Sequence, residues 1–252
     1  MNEYDLLNAA ARAAQRAFAD SLVGVYAHGS IAFRCFRWET SDIDFLVVVR
    51  ETPTLAQKEA YIRALLKLDK KAPKKGLEMS VVLLNVCQNF VYPTPYALHF
   101  SNLHKARCAA DIKAFCETMH GMDADLAAHF AVARAAGFAV CGAPIDAVFG
   151  PVPREDYLDS ILRDAKDAAT GIRENPTYYT LNLCRVLAFI LDGAVLSKAQ
   201  GGAWGAKRLP EQYRPLIQGA LNAYVAGAPF SPADDEAGEF AAYMMGRMDT
   251  LI

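Results

Sequence analysis

The chain is 252 residues long, 53% hydrophobic and 21% charged, against roughly 45–50% and 25% in an ordinary domain. That balance excludes a disordered, collagen-like or low-complexity chain and predicts a compact protein of two small domains. Twenty-six basic residues against 28 acidic ones leave a net charge of −2, without the strongly basic footprint of a protein that grips phosphate backbones, so no nucleic-acid partner is expected.

The first residues, Met1-Asn2-Glu3-Tyr4-Asp5, lack the positive n-region and apolar h-region of a signal peptide, and no run of 18 apolar residues offers a membrane span. Cys35, Cys87, Cys108, Cys116, Cys141 and Cys184 form no C-x-x-C pair and have no histidines at zinc-finger spacing. Reduced thiols in a cytoplasmic protein are the expectation.

Residues 5–20 place apolar groups at helical spacing and are rich in alanine, the strongest helix former, and Leu22–Ala27 reads as a short strand. After His28-Gly29-Ser30, Ile43–Val49 is the clearest buried strand, dominated by β-branched and aromatic types. Residues 54–68 form an amphipathic helix, residues 73–76 a break, and residues 77–84 a third strand. Strands with helices between them indicate an α/β domain. From about residue 105 the pattern turns helical, over 105–118 and 123–136, followed by a short apolar segment at Phe138–Cys141. Two prolines and a glycine at 149–153 mark a boundary, and residues 154–172, 177–193, 210–226 and 232–249 carry helical periodicity without a strand-like run. The expected division is therefore 1–152 and 153–252, the second part a bundle of helices.

Asp42 and Asp44 open the second strand, and side-chain alternation sends both to one face while Ile43 points into the core. Two carboxylates a few ångströms apart repel unless a hard cation with oxygen ligands, such as Mg²⁺, lies between them. Gly29-Ser30, at a strand-to-helix turn, can bring backbone N–H groups and a hydroxyl close to a phosphate. Asp-x-Asp by itself is more readily turn chemistry; its position between apolar strands and eleven residues after Ser30 points to a site. Glu78, second in the third strand, is either an exposed strand end or a third acid converging on the pair, in which case it is a candidate base for phosphoryl-type transfer.

Gly29-Ser30, Ser41-Asp42-Ile43-Asp44 and the strand bearing Glu78 resemble the G-S-x-D-x-D pattern of the nucleotidyltransferase superfamily. Residues 77–82, 95–100, 149–153, 181–187 and Arg208-Leu209-Pro210, with the spacing of 181–187 to Lys198 and Trp204, narrow the resemblance to the aminoglycoside 3″/9-adenylyltransferases of antibiotic resistance, over nearly the whole chain. The resemblance implies an α/β nucleotidyltransferase domain with a mixed sheet, an all-α helical bundle, and a site between them. It implies transfer of AMP from Mg-ATP to a drug hydroxyl with release of pyrophosphate. By position, Asp42, Asp44 and Glu78 would bind Mg²⁺, Glu78 would also act as the base, Gly29, Ser30 and Ser41 would hold the triphosphate, and Lys198 would reach it as a point charge. Asp125 and Tyr224 match nucleotide-side positions. By composition alone Lys198 is as readily a solvated surface lysine, and Tyr224 a core residue.

On the drug side, Leu103 stands where the branch accepting streptomycin typically has tryptophan, Gly171 where it has an acid, and Asn175 and Tyr178 where it tends to have Asp and His. The lost negative charge favours the spectinomycin-type, 9-hydroxyl branch over streptomycin. The alternatives are a nucleotidyltransferase with a protein, RNA or other small-molecule acceptor, and a non-catalytic nucleotide-binding or antitoxin-like partner. The expected state is a monomer.

Overall fold

The structure is a computed structural model describing residues 1–252, apart from the side chain of Asp234. By internal contacts the chain divides into Met1–Pro153 and Arg154–Ile252.

The first unit opens with α1 (Glu3–Phe18), started by a capping box in which Asn2 and Asp5 satisfy each other's backbone N–H groups. β1 (Leu22–Ala27), the short α2 (Gly29–Ala32), β2 (Ile43–Val49), α3 (Leu55–Asp69), β3 (Leu77–Leu83) and α4 (Leu84–Gln88) follow. Then come β4 (Thr94–Tyr96), β5 (Leu98–Phe100), α5 (Lys105–Ala110), α6 (Ile112–Thr118), β6 (Gly121–Asp123), α7 (Leu126–Ala136), β7 (Phe138–Gly142) and α8 (Ile145–Val148). Five strands form one sheet in the order β5-β3-β2-β1-β7, in which only β2 and β3 are parallel neighbours, and β4 pairs with β6. The mixed sheet is thus present, with α3 as the crossover that a parallel pair requires.

β2, at the centre, is buried on both faces. Ile43, Phe45, Val47 and Val49 enter the larger core with α1 and α3, while Leu46 and Val48 join Tyr26, Val82, Leu126, Phe130 and Phe149 on the other face. Its near-continuous apolar run follows from cover on both sides.

Short strands β4, β5 and β6, three residues each, escape the sequence reading because they are too brief to show a period. The apolar segment after α7 is the edge strand β7. Residues 105–118 are two helices, because Asp111 leaves helical geometry and its side chain accepts from the Ala114 N–H at 3.0 Å, capping a new helix.

The second unit contains α9 (Arg154–Ala165), α10 (Ala168–Gly171), α11 (Pro176–Asp192), α12 (Lys198–Arg208), α13 (Arg214–Ala226) and α14 (Asp234–Leu251). It is all helical, as expected. α11 is its hub, packed on α9, α12, α13 and α14. The sequence reading gives no helix over 198–208, where Gly201, Gly202 and Gly205 lower the intrinsic propensity. The structure explains them: a methyl group would lie 2.8 Å from Arg185, 2.5 Å from Leu181 and 2.5 Å from Cys184 respectively, so the glycines permit α12 to lie close against α11. A Ser197–Gln200 capping box starts α12. The periodic stretch 154–172 breaks after Ala165 into two helices.

One buried carboxylate sets where β3 begins. Asp69, at the end of α3 and 4% exposed, accepts from the Leu77 N–H at 3.0 Å and pairs with the Lys105 ammonium. Asp69→Ala leaves that N–H and that ammonium without their partner; the expected loss is about 1–3 kcal/mol in chemical denaturation, and an unchanged midpoint contradicts the assignment.

Candidate active site

The parallel register of β2 and β3 places Ile43 beside Leu77 and Asp44 beside Glu78. Ile43 and Leu77 are buried in the larger core, so Asp44 and Glu78 emerge together on the opposite face. Asp42, two residues before Asp44, shares that side. One oxygen from each of Asp42, Asp44 and Glu78 lies within 4.8 Å of the others, and all three side chains are half-buried. Three hard oxygen donors at this spacing fit a divalent cation of the Mg²⁺ type. Burial, above all, raises the Glu78 pKa above its ordinary value; His129 opposes that shift, and Asp42, Asp125 and Asp123 add to it.

The turn after β1 closes on the same point. The His28 N–H donates to the Asp44 carbonyl at 3.1 Å, and Gly29 follows with φ +61. A methyl at Gly29 would fall 1.9 Å from Asp44 Oδ2 and 3.1 Å from Asp44 Cβ, so both the left-handed backbone and the approach of the carboxylate require glycine here. Ser30 Oγ is buried with no hydrogen-bond partner among the described residues. Ser41 is 5% exposed; its hydroxyl accepts from the Arg37 N–H at 3.1 Å and its N–H donates to the Arg37 carbonyl at 2.8 Å, so it fastens the turn that delivers Asp42.

A histidine that the sequence reading leaves without a role joins the acids. α7 buries Leu126, Phe130 and Ala133 against the sheet, which brings His129, one position from Phe130, over the carboxylates. His129 Nε2 lies 3.2 Å from Asp125 Oδ2 and 4.0 Å from Glu78 Oε1. Its ring sits 4.7 Å from that of His28. Burial works against a charge on His129, yet Asp125, Glu78 and Asp44 prevail and push its pKa up to about 10. His28 goes the other way: burial, then the neighbouring His129, lower it well below the usual histidine range. The missed signal is Asp125-x-x-x-His129, an acid and a histidine one helical turn apart.

The remaining candidate residues are distributed as follows. In the first unit, Leu103 is 86% exposed. In the second, Gly171 lies against Tyr179, whose ring would be 2.4 Å from a methyl at that position. Asn175 caps α11, its side-chain oxygen accepting from the Tyr178 N–H at 3.2 Å. Tyr178 donates to Asp164 at 3.5 Å, and the Lys198 ammonium lies 5.0 Å from the centre of the Tyr178 ring. Tyr224 is half-buried on α13.

A glycine-serine turn thus lies beside three convergent acids at the strand ends of a mixed sheet. A family profile described as the C-terminal domain of aminoglycoside adenylyltransferase matches residues 147–247. The aminoglycoside (3″)(9) adenylyltransferase of Klebsiella pneumoniae is 25% identical over 248 residues, 94% of this chain and 92% of its own length. The spectinomycin 9-adenylyltransferase of Enterococcus faecalis is 21% identical over 226 residues, 89% of this chain and 88% of its own. The crystal structure of the spectinomycin adenyltransferase AAD(9) from Enterococcus faecialis, with ATP and spectinomycin, superimposes with a TM-score of 0.78, covering 98% of this chain and 100% of that one at 19% identity. Residues 147–247 thus match the C-terminal domain of the aminoglycoside adenylyltransferases, and the chain is similar to proteins of that name over nearly its whole length.

The electrostatics of the site are measurable in the metal-free protein by side-chain NMR of the histidines. His129 is expected to stay protonated through neutral pH and titrate near about 10, while His99, lowered mainly by burial, titrates near about 4. Because the His129 value is raised on folding, its contribution to stability is full below pH about 6.5 and is lost as pH rises through about 10. Asp125→Asn should bring the His129 value down; an ordinary value in the parent protein contradicts the pairing.

Proposed function

We propose that the protein transfers AMP from Mg-ATP to a hydroxyl of an aminocyclitol antibiotic, with spectinomycin and its 9-hydroxyl as the acceptor. The observation that carries this reading is the in-register placement of Asp44 and Glu78, with Asp42 alongside, next to the Gly29-Ser30 turn. Full-length similarity to 3″(9)- and 9-adenylyltransferases supports the acceptor class.

In this reading Asp42, Asp44 and Glu78 hold Mg²⁺, which when bound neutralises the phosphate charge and polarises the α-phosphate. Ser30 supplies its unpartnered hydroxyl, and the backbone at Gly29 its close approach, to the phosphate chain. Ser41 holds the turn that aims Asp42. Asp125, Lys198 and Tyr224 are nucleotide contacts, Lys198 as a point positive charge toward the phosphates. Glu78 accepts the proton of the attacking hydroxyl as the new O–P bond forms, and the bond from the α-phosphorus to the bridging oxygen breaks to release pyrophosphate. His129 lies close enough to Glu78 to hold the carboxylate toward the acceptor.

Leu103, Gly171, Asn175 and Tyr178 are proposed to form the drug side. None brings a carboxylate, and the Asn175 side-chain oxygen is engaged in capping α11. These four positions carry none of the anionic side chains with which a strongly cationic streptomycin would pair, so spectinomycin is preferred. The protein acts as a cytoplasmic monomer.

Purified protein with Mg-ATP should release pyrophosphate with spectinomycin and far less with streptomycin or without acceptor. Glu78→Gln should reduce turnover by about 100-fold or more with ATP binding retained, and Gly29→Ala by about 100-fold through displacement of Asp44. Silence with every antibiotic, or near-parental turnover in Glu78→Gln, contradicts the reading.

A further inference from the structure

The first unit carries a cavity at the opposite end of the sheet from the acids. It lies where β3 ends at Leu83, five residues beyond Glu78, or about 16 Å at roughly 3.3 Å per strand residue. Its volume is about 540 Å³, within the range of small-molecule pockets, about 300–1,000 Å³. Leu55, Leu83, Tyr96 and Met122 give it apolar walls.

Among these walls are one lysine, Lys58, and one histidine, His120. Lys58, on α3, lines the cavity, is only 8% exposed, and forms no hydrogen bond or ion pair through its ammonium among the described residues. Glu117, the carboxylate on the same lining, lies 3.9 Å from Lys113 instead. The neighbouring Cys116 thiol, pushed up to about 12 mainly by burial, stays neutral and brings no compensating charge. Most of the Lys58 side chain is covered by the cavity walls, and an anion seated there would pair with its ammonium in surroundings less screened than bulk water.

We propose that this cavity is a binding site for a small organic monoanion, one carboxylate or sulfonate on a short apolar body. The apolar walls take the body and Lys58 takes the head. A single lysine does not match a polyphosphate, so the occupant differs in class from a nucleotide, and the site does not depend on the function proposed above. Burial also lowers the Lys58 pKa below that of an ordinary lysine, the response expected of an ammonium whose partner is absent.

The probe is octanoate, with octylammonium and octanol as controls, titrated into the full-length protein by calorimetry and amide NMR. One equivalent of octanoate should bind at least about tenfold tighter than octylammonium, a difference of about 1.4 kcal/mol, with shifts at Leu55, Lys58, Leu83 and Tyr96 and none at Asp44 or Glu78. Lys58→Met should lose at least about tenfold of that affinity without a lower unfolding midpoint, since an apolar chain of similar length takes the place of a lysine that makes no ion pair among the described residues, and Lys58→Arg should retain it. No octanoate binding, shifts confined to the acidic end, or parental affinity in Lys58→Met overturns the proposal. Should Lys58→Met fail to fold, the shift map and the octanoate preference of the parent protein decide it in the same terms.

Discussion

The architecture of the first unit turns on one alignment, Asp44 beside Glu78 in the parallel pairing of β2 and β3. A register error of one residue would send both side chains into the core occupied by Ile43 and Leu77, so burial of the apolar partners on one face fixes the acids on the other. The cost of that alignment is electrostatic. Three carboxylates share less than 5 Å, as their oxygens lie within 4.8 Å of one another, and the protein holds them there with backbone and packing contacts made elsewhere.

Those contacts can be traced. Asp69 receives the Leu77 N–H, and the Gly76 carbonyl accepts from the Ile43 N–H at 3.1 Å, so the starts of β3 and β2 are tied to each other and to the end of α3. The His28 N–H binds the Asp44 carbonyl, which brings the glycine turn against the Asp44 side chain. From the other side, α7 packs Leu126, Phe130 and Ala133 on the sheet and so carries His129 to Glu78. A cationic imidazole between Asp125 and Glu78 relieves part of the repulsion that the register creates. The acids are thus local to two strand ends, but their placement draws on α3, α7 and the turn after β1.

Much of this was legible in the sequence where the signal was long or chemically specific. Ile43–Val49 announced itself by an unbroken apolar run, and Asp42 and Asp44 by alternation at its start. The helical second unit was readable from periodicity in α9, α11, α13 and α14. Other features depend on contacts that no local pattern encodes. The glycines of α12 contradict a helix until α11 is seen against them. Strands β4, β5 and β6 exist because a neighbour pairs with them, not because three residues prefer that state. His129 has no metal-ligand spacing and becomes part of the acidic cluster only through the packing of α7. Lys58 reads as one polar position on an amphipathic helix, and only the cavity beside it distinguishes it from the exposed lysines that follow at Lys67, Lys70 and Lys71.

The central claim is that Asp42, Asp44 and Glu78 act as one cation site because β2 and β3 hold them in register. Electron paramagnetic resonance of Mn²⁺ titrated into the protein in the presence of a non-hydrolysable ATP analogue tests it directly. The account predicts a bound-ion signal that is lost in Asp44→Asn and in Asp42→Asn, while each variant keeps the parental circular dichroism. Undiminished Mn²⁺ binding in both variants would contradict it.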